Sequence, residues 1–342
     1  MIPGGVARLP SPRLPRLLKT AIRIAVAVGL TAYILWQTNP AQVASAAASA
    51  DWRWIGAAVA LVLLDRALMA YRWMVLLCAL APGTRPPFAA VLRIFFVSTF
   101  VGSFLPSLAG DVYRAYSLSR LRVSGVEAAA SVIMDRALGV LSMVLVAIAA
   151  LAFAHNMLAL PGVLPTLLVA GAACAVGAAG IYSERVASMA LAVAARLPGQ
   201  PTRRLASGLV DSVRRYAHHH AELTNVLASS IAVQMIRVLQ AYCLGVAIGV
   251  AAPMWAYFVF IPVIVIVMQI PVTIMGLGTS QFAFPLLFGE VGVPASEAVA
   301  LSILFVALAI VGNLPGGVLY LTGGMRGGKG DPSPRVEQIP RR

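Results

Sequence analysis

Hydrophobic residues in this chain run in blocks longer than a soluble amphipathic helix carries. Residues 20–36, 54–80, 126–154, 163–182, 224–250 and 298–322 are dominated by Ala, Leu, Val and Ile, with few charges inside them. A hydrocarbon layer of about 30 Å is crossed by about 20 apolar helical residues, so each block predicts a membrane-spanning helix. Two further apolar stretches are interrupted: 88–110 stops at "GSFLPSLAG", and 254–292 is split by "PVTIMGLGTSQF". Proline removes a backbone donor and glycine tolerates conformations that other residues avoid. Lipid accepts such a break only where protein or a water-filled cavity satisfies the freed backbone groups. The predicted fold class is an all-α polytopic membrane protein with about six full spans and two broken or re-entrant segments, or about eight spans if both broken segments cross.

In the six-span arrangement the chain divides into halves of the same order, two spans, an interrupted segment and one span, in opposite orientations. An inverted repeat with paired Gly/Pro-broken segments points to a transporter's binding site near the bilayer midplane. Composition agrees, because a chain that is 60% hydrophobic and 11% charged has too little polar surface for a soluble fold of this size. The formal net charge of +14 changes the picture only in sidedness. Its arginines sit in loops and at helix ends instead of interleaving with aromatics, which argues against a nucleic-acid partner. Arg8, Arg13, Arg16, Lys19 and Arg23 precede or open the first span, and Arg326, Lys329, Arg335, Arg341 and Arg342 follow the last. By the positive-inside rule both termini are cytoplasmic, in an inner (plasma) membrane.

The segments 81–125 and 183–223 carry further arginines and fall on the same side, whereas no Lys or Arg occurs between Arg237 and Arg326. The expected organisation is a basic N-terminus over 1–19, a transmembrane domain over 20–322 and a disordered cytoplasmic tail over 323–342. The loop 183–223 reads as a basic amphipathic element lying on anionic headgroups. The run "IAVAVGLTAYILW" followed by "VASAAASA" imitates a cleaved signal peptide, but the long basic leader and the later spans favour a retained first span.

Cys78, Cys174 and Cys243 lie in apolar segments without ligand-like spacing, so neither disulfides nor a zinc site is expected. His218, His219 and His220 are consecutive and point in different directions on a helix, which makes a solvated face of them rather than a metal site. No hydrolase elbow, phosphate loop or zinc helix motif occurs. No catalytic residue, metal or cofactor is assigned, and no enzyme activity is expected.

Charges inside the spans are more informative, since each costs about 2.5–3.5 kcal/mol at the bilayer centre unless paired, hydrated or near an end. Asp65 and Arg66 lie near the middle of the second block with Arg72 further along; Asp135 and Arg136 lie well inside the third, and Arg237 inside the fifth. One reading pairs Arg66, Arg136 and Arg237 structurally with Asp65, Asp135 or Asp111 and lets Arg72 snorkel to the cytoplasmic interface. The other lines a water-filled cavity with guanidinium groups, which match phosphate bidentately. Gln234, Arg237 and Gln240 are three apart and share one broad helix face, as a polar lining or as an interhelical seam.

In "FLPSLAGDVYRAY", Pro106 and Gly110 break the apolar segment, Asp111 is placed to cap the following helix, and Arg114 sits at the cytoplasmic edge. "GLGTSQF" offers a matching irregular loop with Gly276 and Gly278. Ser280 and Gln281 there supply neutral hydrogen-bonding groups, for a polar headgroup or for the loop's own backbone.

Together "LMAYRWMVLL", "FLPSLAGDVYRAY", "VIMDRALGV" and "PVTIMGLGTSQFAF" resemble the flippase-like transmembrane family that includes the membrane region of lysylphosphatidylglycerol synthases. The resemblance covers about residues 20–322, and its matching positions are Gly110, Asp111, Arg114, Asp135 and Arg136. Ser280 and Gln281 depart from it, standing where the family pattern has Arg and Glu. The resemblance implies lipid handling without the soluble domain that aminoacyl transfer needs.

Three functions follow from these observations. The leading one is translocation of a lipid with an anionic or modified headgroup, bound by Arg66, Arg136 and Arg237, with Asp111 and Asp135 orienting the arginines. The second is an enzyme or membrane subunit in lipid, lipid-linked glycan or hopanoid modification, with Asp111 or Asp135 as general base. The third is a non-transporting scaffold that recruits a partner through the 183–223 loop. Membrane lipids are the expected partners, and a lipid-biosynthesis enzyme is the protein partner the resemblance admits.

Overall fold

A computed structural model describes residues 50–81, 83, 85–104, 108–119, 124–153, 163–196, 199–269 and 278–326. All regular structure among these residues is helical: α1 (Trp52–Leu80), α2 (Phe88–Phe104), α3 (Leu108–Ser119), α4 (Gly125–Phe153), α5 (Val163–Tyr182), α6 (Glu184–Arg196), α7 (Gln200–Arg215), α8 (His220–Ala247), α9 (Met254–Met268), α10 (Thr279–Phe288) and α11 (Ala295–Arg326). The expected first span, the basic leader and most of the C-terminal tail lie outside the described residues.

Asp51 starts α1 by accepting the Arg53 N–H at 2.9 Å, the usual service of an N-cap carboxylate. α9, "MWAYFVFIPVIVIVM", is rich in β-branched residues that favour helix poorly in water. It is helical here because an apolar environment leaves backbone groups no partners except each other. Trp52–Leu80, Gly125–Ala152, His220–Ala247 and Ala295–Thr322 are long and apolar enough to cross a membrane. Leu168, Val169 and Val176 of α5 and Phe282 and Val318 elsewhere stand exposed, a surface suited to lipid. The chain is a multi-pass membrane protein.

Both interrupted stretches fold back on themselves. α3 returns along the end of α2, with Arg114 Nε donating to Ser98 Oγ at 2.8 Å. α10 returns along α9, where Phe288 meets the rings of Tyr257 and Phe260 at 5.1 and 5.2 Å. The Asp51 N–H donates to the Ala247 carbonyl at 2.9 Å, so α1 and α8 are antiparallel. α2 follows the end of α1 and α9 follows the end of α8, so the two hairpins enter the bundle from opposite ends. α2 packs on α11 and α9 packs on α4; α3 lies against α4 and α10 against α11.

The structure corrects the reading of Gly110 and Asp111. α3 begins at Leu108, so Asp111 lies inside its first turn and does not stand in front of it as a cap. Gly110, which marks the break in the apolar segment, lies within the same helix, where it lets α3 approach α2. A Cβ there would come within 2.6 Å of the Ser98 carbonyl oxygen and 3.2 Å of the Gly102 Cα. Gly316 serves the α2–α11 contact in the same way, with its Cβ position 1.9 Å from the Phe96 carbonyl oxygen. With Gly312 it forms a Gly-x-x-x-Gly face, the small-residue spacing that lets membrane helices close together.

The 183–223 loop is also more specific than an element resting on headgroups. α6 and α7 pack on each other, and α7 turns Leu209 and Val213 onto a cluster with Leu76, Met134, Tyr216 and Val226. Arg215 binds Glu127 at 2.7 Å, and the Tyr216 hydroxyl donates to the Leu76 carbonyl at 2.9 Å. Burial raises the Tyr216 hydroxyl well above the usual phenol range, which keeps it a donor. Ala substitution of Gly110 or Gly316 is expected to destabilise the bundle by about 1–3 kcal/mol, as overpacking does. Thermal unfolding in detergent should show this, whereas Gly177→Ala, which meets nothing within 4 Å, should not lower the melting temperature.

Candidate functional site

The interior charges form two connected clusters. In the first, Asp65 of α1 is buried and holds Arg66 Nη1 at 2.8 Å and Arg237 Nε of α8 at 3.3 Å. Arg66 Nε donates to Asn313 Oδ1 of α11 at 3.0 Å, and Asn313 Nδ2 donates to Ser103 Oγ of α2 at 2.7 Å. One polar chain therefore ties four helices together at depth. Such a chain holds its members firmly because water is not there to replace a lost partner.

The second cluster joins the α2–α3 hairpin to the long helices. Asp135 of α4 accepts from Arg72 Nη2 of α1 at 2.9 Å and has Arg114 Nη1 of α3 at 3.8 Å. Asp111 holds Arg136 Nη2 at 3.1 Å, with Arg114 Nη1 4.0 Å away. The Arg114 guanidinium lies 4.3 Å from the Phe95 ring centroid and 5.4 Å from that of Trp73, cation–π contacts suited to a desolvated cation. Trp73 Nε1 in turn donates to Ser131 Oγ at 3.2 Å. The cluster runs from buried Arg72 and Arg114 outward to Arg136, whose side chain is 50% exposed about 17 Å along α4 from its start.

Arg66 and Arg237 are thus brought together on Asp65, and Arg72, Asp111, Arg114, Asp135 and Arg136 in the second cluster, with Gly110 shaping the hairpin that carries two of them. Arg72 does not snorkel. It is buried against Asp135, and its Nε has no hydrogen-bond partner among the described residues. Gln234, Arg237 and Gln240 do not make one lining. Gln234 Nε2 donates to Ser142 of α4 at 3.2 Å and Arg237 turns to α1, while Gln240 is buried with its Nε2 unpartnered. Gln281 Oε1 accepts the Gly278 N–H and closes the start of α10, and Ser280 is buried beside it, so these residues serve their own helix. Pro106 and Gly276 lie outside the described residues.

Sequence reasoning missed Asn313, Ser98 and Ser103. Asn313 left a signal, the lone amide in the apolar run "SILFVALAIVGNLPGGVLYLT". The serines left none, because a serine in an apolar helix ordinarily bonds its own backbone, as Ser98 and Ser103 also do.

Five arginines share three carboxylates in this network. The net excess is positive, with Arg136 half-exposed and the other four arginines inside the bundle, and it suits an anion with several acceptor oxygens. Among the described residues no group of three or more His, Cys, Asp or Glu could hold a metal ion. Asp65→Asn leaves Arg66 and Arg237 facing each other without a carboxylate, and breaking such a pair costs about 3–5 kcal/mol. A lower melting temperature is expected, recovered in part by the double variant Asp65→Asn/Arg237→Gln.

Comparison with curated proteins and with solved structures gives no significant match in either set. A family match does cover most of the chain: the family described as the lysylphosphatidylglycerol synthase TM region matches residues 20–316. Its extent takes in both hairpins and every interior arginine described above, and the chain belongs to this family of membrane proteins linked to lipid modification or transport.

Proposed function

We propose that the protein translocates a lipid with an anionic or modified headgroup across a bacterial-type inner membrane, with both termini cytoplasmic. The observation that carries this reading is the surplus of arginine over carboxylate inside a bundle of membrane helices. A purely structural network has no need of unmatched positive charge at depth, where each charge is unfavourable by about 2.5–3.5 kcal/mol. Arg66, Arg136 and Arg237 attract the phosphate, Asp65 orients Arg66 and Arg237, Asp111 orients Arg136, and the acyl chains remain in lipid.

The helix packing supports an inverted repeat. Exchanging α1, α2–α3 and α4 for α8, α9–α10 and α11 turns the α2–α11 contact into α9–α4, and the α3–α4 contact into α10–α11. The last described turns of the inward-running helices meet the middles of long ones, Ser103 at Asn313 and Gln269 at Met143. A site between two hairpins entering from opposite ends suits alternating access. The arginines of α6 and α7, on the side of the bundle where Arg215 meets Glu127, support this sidedness.

The partially exposed Arg136–Asp111 pair is the rim at which a headgroup enters. Membrane lipids are the partners, and an enzyme that makes the lipid is the natural supplier. Catalysis by Asp111 or Asp135 is less well supported, because each carboxylate already accepts from guanidinium groups and is poorly placed to take a proton. Losing one charge-assisted contact is worth about 1.5–3 kcal/mol, or roughly ten- to a hundredfold in rate or affinity. Arg136→Gln should therefore lower lipid flux at least about tenfold in vesicles carrying a tail-labelled phosphatidylglycerol. Equal flux in folded wild type and variant, or wild-type flux no greater than in protein-free vesicles, contradicts the reading.

A further inference from the structure

Arg66 and Arg237 share one negative charge, and their remaining donors converge on an unsuitable partner. Arg66 Nη1 lies 3.7 Å and Arg237 Nη2 lies 3.4 Å from the Met69 sulfur. A thioether is a weak acceptor, whereas two guanidinium groups in a low-dielectric interior favour a strong one. Methionine is unbranched and flexible, so its side chain can leave without disturbing the backbone. Neither arginine is sealed: their side chains are 12% and 16% exposed.

We infer that the Met69 sulfur holds the place of a headgroup phosphate, whose oxygens bridge Arg66 and Arg237. The inference rests on the translocator reading and narrows its substrate class to lipids whose headgroup is net negative. A headgroup that also carries an ammonium finds no unpaired carboxylate in the two interior clusters. Asp65, Asp111 and Asp135 are each held by two arginines. No other acidic residue occurs between Asp135 and Glu184 or between Glu222 and Glu290. Ser280 and Gln281 add only neutral groups, which Gln281 spends on the start of α10. An added amine therefore meets like charge, the arrangement by which a site rejects the wrong ligand.

The test uses full-length protein in nanodiscs of phosphatidylcholine, titrated with phosphatidylglycerol, with an aminoacylated phosphatidylglycerol and, separately, with inorganic phosphate. Native mass spectrometry reads occupancy and thermal unfolding reads linkage. Phosphatidylglycerol is expected to bind at least about tenfold tighter than its aminoacylated form. Met69→Glu, which puts a carboxylate between the two guanidinium groups, should abolish that binding without lowering the lipid-free melting temperature. Arg237→Gln should also abolish it, and decides the matter if Met69→Glu does not fold. Equal binding of the aminoacylated lipid, or undiminished phosphatidylglycerol binding in the folded variants, overturns the inference. Inorganic phosphate binding as tightly as the lipid overturns the lipid as its source. Flux in the vesicle assay is read independently: transport that persists without this selectivity leaves the translocator reading standing, and binding without flux removes it.

Discussion

The arrangement of this bundle depends on how Asp135 is neutralised. Its two oxygens face Arg72 of α1 and Arg114 of α3. A carboxylate desolvated in the interior must keep such partners, since removing one leaves an uncompensated buried charge. That requirement holds the α2–α3 hairpin against two long helices. The hairpin in turn places Asp111 beside Arg136, and the end of α2 where Ser103 can reach Asn313. Gly110 is the steric condition for it all, because only a residue without a Cβ lets α3 lie this close to α2.

The two halves of the bundle share a packing scheme and differ in chemistry. The α2–α3 hairpin carries Asp111, Arg114 and three hydroxyls that bond nearby carbonyls, Ser98, Thr99 and Ser103. The α9–α10 hairpin is filled with aromatic rings, where Phe284 stacks on Phe288 at 5.6 Å and Phe284 meets Phe305 of α11 at 5.7 Å. Tyr257 packs on Gly245 of α8, whose missing Cβ gives the ring its room. The two hairpins therefore give the bundle one polar and one apolar, aromatic-packed element.

Much of the fold was legible along the chain, because span length and hydrophobic run are physically coupled. Residues 163–182 coincide with α5, and 54–80 and 126–154 fall within about two residues of α1 and α4. The interior positions of Asp65, Asp135 and Arg237 were legible for the same reason. Their partners were not. Arg66 finds Asn313 across 247 residues, and Arg72 finds Asp135 where its own helix suggested an interface cation. The break in hydrophobicity points to a helix boundary at Gly110 and Asp111, whereas both lie within the helix Leu108–Ser119. Ser280 and Gln281 drew attention through their place in a glycine loop, and the structure gives them to capping.

The central claim is that unmatched arginine charge in this bundle exists to hold an anionic headgroup. Its most direct test is mass spectrometry of the lipids that stay on gently purified wild-type protein and on Arg237→Gln, each normalised to the source membrane. Enrichment of one anionic lipid class on the wild type, lost from the variant, is the predicted result. Lipid in bulk proportions on both proteins would contradict it.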